Sequence, residues 1–110
     1  MKLIQSLGMA PLLLVLACSA DTSNPEDVAR AFMDHVQKSE FEKAFLHVLP
    51  DDRSKFQSFE EELARMPPIP EKIAVEVEVS GNRGHFTIPN WSDQARVDLV
   101  FSEDRWWISE

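Results

Sequence analysis

The hydrophobic period of this chain changes once, across Pro67-Pro68-Ile69-Pro70, and that change limits what the chain can fold into. Before it, apolar side chains recur every three or four residues, the spacing that lines one face of a helix. After Lys72 they recur every second residue, the spacing that lines one face of a strand. Three of the four intervening residues are prolines without a backbone donor, so no helix runs through them. A length of 110 residues allows one domain. Helices first and hairpin-linked strands afterwards predict an α+β fold, with three N-terminal helices packed on one face of a curved four-stranded antiparallel sheet.

The helical half divides by its start and stop signals. Asn24 supplies a capping side chain, Pro25 a proline at the first helical position, and Glu26 and Asp27 acids at the positive end of the dipole. Val28, Ala31, Phe32, His35 and Val36 then mark one buried face up to about Lys38. Ser39-Glu40-Phe41-Glu42 matches a capping box and predicts a second helix carrying Phe41, Ala44, Phe45, Val48 and Leu49 until Pro50 stops it. Asp51 and Asp52 can open a third, with Phe56, Phe59, Leu63 and Met66 on one side.

The strand half is read by alternation. Ile73, Val75, Val77 and Val79 form one face of a first strand from Lys72, with Ala74, Glu76 and Glu78 on the other. Gly81-Asn82-Arg83-Gly84 is a turn, and His85-Phe86-Thr87-Ile88 the answering strand. A third strand points Ala95, Val97, Leu99 and Phe101 inward and Arg96, Asp98 and Val100 outward. In the last, Arg105–Ser109, consecutive Trp106 and Trp107 must face opposite ways. Trp106 shares the phase of Ile108 and belongs to the core, which leaves Trp107 outside with Val100, Thr87 and the tip residue Trp91.

Ahead of this domain, Lys2 and the uncharged run Leu7–Ala17 have the pattern of a secretory signal peptide. Eleven helical residues rise about 16 Å, roughly half of a bilayer's hydrocarbon core, too short for a retained span. Val15-Leu16-Ala17-Cys18 resembles the lipobox of bacterial lipoproteins, and Cys18 is the sole cysteine. The resemblance implies that residues 1–17 are removed, that Cys18 is acylated, and that residues 18–23 are a lipidated cysteine and polar tether before the domain at 24–110. Ser19 after the cysteine resembles the sorting preference for the periplasmic face of the outer membrane in Gram-negative cells. Without Lys2, ten basic side chains face nineteen acidic ones, a net charge of -9 that argues against nucleic acid and anionic surfaces as partners.

The element order, with Pro25-Glu26-Asp27-Val28-Ala29-Arg30-Ala31-Phe32, Phe41-Glu42-Lys43-Ala44-Phe45, Val97-Asp98-Leu99-Val100-Phe101 and Arg105-Trp106-Trp107-Ile108, resembles the nuclear transport factor 2-like superfamily, also called cystatin-like. The resemblance is to its small exported lipoproteins of unassigned function. Enzymes of that superfamily work in a cone-shaped pocket with an acidic or histidine base and often a tyrosine; this chain has no Tyr. The expectation is therefore a non-enzymatic binding or accessory module of the cell envelope, without cofactor.

Its contact surface is expected on the outer sheet face, with Glu76, Glu78, Arg96, Asp98, Val100, Trp107 and Trp91, serving an envelope partner or a homodimer. The bland reading of Trp107 is local packing over the stem of Arg96. The alternative function is a small-ligand pocket, or a reduced isomerase- or dehydratase-like enzyme, with Phe32, His35 and Phe45 lining a helix–sheet cleft. No histidine spacing suits a metal. His35 reads as a polar edge residue with one hydrogen bond, and His47 and His85 as solvated side chains.

Overall fold

A computed structural model describes residues 21–110, so the expected leader and the expected lipidation site Cys18 lie outside the described residues. Helix α1 spans Pro25–Gln37, and the side chain of Asn24 accepts from the Glu26 amide as the capping chemistry requires. It buries Val28, Ala29, Phe32, Met33 and Val36, while Glu26–Arg30 and Asp34–Lys38 pair on its solvent side.

The expected capping box does not form. Ser39 instead takes a left-handed backbone (φ 61°) and closes α1: its amide reaches the Val36 carbonyl and that of Glu40 the His35 carbonyl. That is the double bond of a Schellman turn, usually built on glycine. With Ser39 spent on ending one helix, α2 (Phe41–Phe45) starts without a side-chain cap, and the Glu40 carboxylate turns back to His35.

The second helix is also shorter than its apolar stripe. Val48 and Leu49 leave the helix because strand pairing offers them a better partner: Val48 bridges Ile108 in parallel. The Leu49 amide donates to the Ile108 carbonyl, and the Ile108 amide to the His47 carbonyl. The expected third helix is split into a 3₁₀ segment, Pro50–Phe56, and a short α3, Phe59–Ala64, which turn Phe56 and Phe59 toward Phe45.

The sheet is a four-stranded antiparallel meander in sequence order: β1 (Glu76–Ser80), β2 (Arg83–Ile88), β3 (Ser92–Ser102) and β4 (Arg105–Ser109). The first strand begins four residues later than its alternation predicts. Asn90 occupies the backbone of the preceding segment, accepting from the Ala74 amide and donating to the Lys72 carbonyl. Gln37 likewise holds Pro70 and Glu71, and Trp91 holds Pro67, so the proline strap is fixed by side chains. Gly81 (φ 63°) turns β1 into β2, and Glu103 and Asp104, both left-handed, turn β3 into β4.

The inward rows carry Val77, Phe86 and Val97, then Leu99 and Ile108, then Phe101 and Trp106, against the buried face of α1. Five phenylalanines, 32, 41, 45, 56 and 59, close the side of this core with ring centroids 5.6–6.4 Å apart. A fully buried phenylalanine contributes about 1.5–3 kcal/mol. No helix among the described residues is long and apolar enough to cross a membrane.

Candidate functional site

Period-two alternation places six of the expected surface residues on one sheet face. Glu76, Thr87 and Arg96 form one row; Glu78, His85, Asp98 and Ser109 the next; Arg83, Val100 and Trp107 a third. His85 Nε2 lies 3.7 Å from Glu78 there, and Arg96 Nε pairs with Asp98 at 3.6 Å. Trp91 is not part of this face. Its indole donates to the Pro67 carbonyl at 2.7 Å and packs against the core.

Trp107 is half-buried, for a reason other than the expected one. The guanidinium of Arg105, not the stem of Arg96, covers its ring, 3.8 Å from the centroid. Arg96 lies two rows away. The Trp107 indole donates to the Ser102 carbonyl at 3.0 Å, so its polar edge is already used. Spacing of two along a strand puts Arg105 and Trp107 on one face, and that was the available sign of this stack.

A second cluster forms where the outer edge of β4 is covered. The Trp106 amide donates to the Thr22 carbonyl at 2.8 Å, beside the His47 and Leu49 bonds to Ile108. Asp21 also accepts from the Ser23 amide and hydroxyl. Asp21–Ser23, expected as tether, are therefore pinned to the domain. Thr22, Arg30, His35, Lys43, His47 and Arg105 line one open groove at this edge.

His47 is not the solvated side chain expected. Burial, then the charge of Arg105, then His35 lower its pKa to about 4, and its Nδ1 is buried without a hydrogen-bond partner. His35 stacks against it with ring centroids 6.1 Å apart and bonds Glu40 at 2.9 Å, which holds the Glu40 carboxyl below its ordinary range. Arg105 donates through Nε to the Trp106 carbonyl, while one terminal nitrogen is buried and unpartnered.

The helix–sheet interior differs from the cleft expected of a pocket protein. Phe32 is fully buried in the core, and Phe45 packs among Phe41, Phe56 and Phe59. Of the three expected lining residues only His35 borders the groove, which the core residue Met33 and the core-packed Ile73 and Val75 also line. Among the described residues no three His, Cys, Asp or Glu side chains are grouped to hold a metal ion. No family model, curated protein or solved structure matches this chain.

Proposed function

We propose that this chain is an exported lipoprotein, anchored through Cys18 and acting as a non-enzymatic binding or accessory module of the bacterial envelope. Its domain is a small variant of the nuclear transport factor 2-like (cystatin-like) fold; helices first and an antiparallel meander after them support that assignment. The observation that carries the functional reading is the contrast between interior and surface. Phe32, Phe86, Ile88, Leu99 and Ile108 are fully buried in the helix–sheet interior. The outer sheet face presents Glu76, Glu78, Arg96, Asp98, Val100 and Trp107 in adjacent rows. Such a mixed charged and aromatic surface suits a protein partner better than a small molecule.

Native mass spectrometry of the protein extracted from its envelope tests both halves. The expected species begins at Cys18, carries acyl mass, and holds a protein partner or second copy that the folded Trp107→Ala variant loses. An unmodified Cys18 sinks the anchor. A retained small molecule, with no protein partner, favours the ligand alternative instead.

A further inference from the structure

The third strand outruns its neighbour. β3 has eleven residues, yet β4 pairs only with Asp98–Ser102, so the first half of β3 is paired on the β2 side alone. The bonds of β4 show which groups this leaves open. Trp106 and Ile108 donate their amides outward, to the Thr22 and His47 carbonyls. Arg105, Trp107 and Ser109 are therefore the residues that bond β3, opposite Ser102, Val100 and Asp98. Arg96, two residues before Asp98 and in the same phase, points its N–H and C=O to that side, past the end of β4. Phe101, in the other phase, donates its amide to Asn82 just before β2. No other segment among the described residues bonds the Arg96 backbone, and Arg96 is exposed.

A cavity of about 150 Å³ lies at this open position, walled by Val97 from the inner face of β3 and by Arg96 and Asp98 from the outer. Walls from both faces place it at the edge of β3, where a further strand would run. Phe56 and Phe59 add an apolar side, and a cavity of this size accepts a group of several carbons. Its charges do not balance. The two cations on its rim are already paired, Lys55 with Asp52 at 3.3 Å and Arg96 with Asp98 at 3.6 Å. Glu62 bonds only the Ser58 hydroxyl, and neither it nor Glu110 has an ion pair among the described residues.

We propose that the open half of β3 takes up an extended, basic segment of a partner protein, paired antiparallel with the Arg96 backbone in line with β4. One residue of that segment exchanges both hydrogen bonds with Arg96, the next turns an aliphatic side chain inward to Phe56, Phe59 and Val97, and flanking lysine or arginine meets Glu62 and Glu110. A second copy of this chain fits poorly, because its own exposed strand, β1, carries Glu76 and Glu78. The site is separate from the outer-face rows: it uses the backbone of Arg96 and needs neither Trp107 nor the anchor.

The test follows the backbone amides of the isotope-labelled full chain in detergent by NMR. In the free protein the Arg96 amide should exchange with solvent much faster than those of Val97 and Leu99, which face β2. A blocked pentapeptide of alternating lysine and valine should then give saturable shifts centred on Arg96 and slow its exchange. The same peptide with its central amide methylated should bind about fivefold more weakly, the loss of one hydrogen bond. Glu62→Gln should weaken binding by about threefold. Arg96→Pro removes an N–H that bonds nothing in the free protein, so it should fold and lose the shifts, whereas Trp107→Ala should keep them; if the proline variant does not fold, the methylated peptide still decides. An Arg96 amide as slow to exchange as that of Val97 overturns the open edge, and undiminished binding of the methylated peptide overturns strand pairing. Equal binding of a glutamate–valine pentapeptide overturns the basic occupant, as does protection of Arg96 on concentrating the protein alone, which assigns the edge to a second copy. No shift with either peptide overturns the site.

Discussion

The two edges of the sheet are finished in opposite ways. At β4 the outer edge is covered by the Thr22 carbonyl, the His47 carbonyl and the Leu49 amide, which bond to Trp106 and Ile108. At β1 the strand is five residues long, Glu76 and Glu78 are exposed, and Val79 is 45% exposed. Short length and charge are how an uncovered edge avoids pairing with another chain. Among the described residues the three buried side-chain atoms without partners, on His47, Arg105 and Ser109, all lie on β4 or on the segment that covers it. One edge is built to keep other chains away, and the other spends its backbone bonds internally while leaving polar side chains unsatisfied.

The sharpest way to break this contrast is to cut into each edge. Ile108→Ala removes a fully buried side chain from the covered edge and should cost about 3 kcal/mol, whereas Val79→Ala should cost only a few tenths. Urea unfolding of both variants gives the comparison directly; equal losses would mean that β1 is as integral as β4. Gly84→Ala attacks β1 from its paired side. An added Cβ would sit 2.6 Å from the Glu78 carbonyl and 3.0 Å from Val79 Cγ2, which neither backbone nor a β-branched neighbour relieves easily. The expected loss is about 2 kcal/mol, with β1 amides exchanging faster while β4 amides hold.

Acid should act on the covered edge first. The folded-state pKa of His47, about 4, lies below its ordinary 6.5, so the unfolded chain takes up the proton first. The stabilisation is complete above pH 6.5 and is lost as pH falls toward 4. Its size is about 1 kcal/mol, discounted because the ring is partly solvated. His47→Gln should flatten the difference in urea midpoint between pH 7 and pH 4.5; an unchanged difference would place the effect elsewhere.

The smallest effect runs the other way. Ser39→Gly relieves a left-handed serine in the turn that sends α2, and hence Val48, to the β4 edge. It should stabilise by about 0.5–1 kcal/mol in the same unfolding measurement.

These edges also separate what was readable in the sequence from what was not. Local chemistry was readable: the Asn24 cap, the alternation of β3, and the opposite phases of Trp106 and Trp107 all depend on neighbours within a few residues. The outer-face rows follow from the same rule, which is why Glu76, Glu78, Arg96, Asp98, Val100 and Trp107 fall together. The misses came from competition at a distance. Val48 continues a helical stripe perfectly well, and only Ile108, on the last strand, draws it out of the helix. Ser39 satisfies a capping pattern but is claimed by the helix before it. Trp91 looked like a tip residue because Pro67, its hydrogen-bond partner, lies 24 positions earlier. The groove beside β4 joins Thr22, His35, His47 and Arg105 from separate segments, and no spacing along the chain announces it.

The covering of β4 has a consequence for the order of events in making this protein. Its final strand is wedged between β3 and residues laid down near the start of the chain, so the closing contacts are among the most distant in sequence. Until Ser109 has emerged, Thr22 and His47 have nothing to bond, Ile108 is not there to draw Val48 out of its helical stripe, and Leu99 has no inward neighbour on that side. Such distant pairing is slow to form and cannot be anticipated by a partial chain. Any growing or threaded form of the polypeptide that stops short of β4 lacks all of these closing contacts.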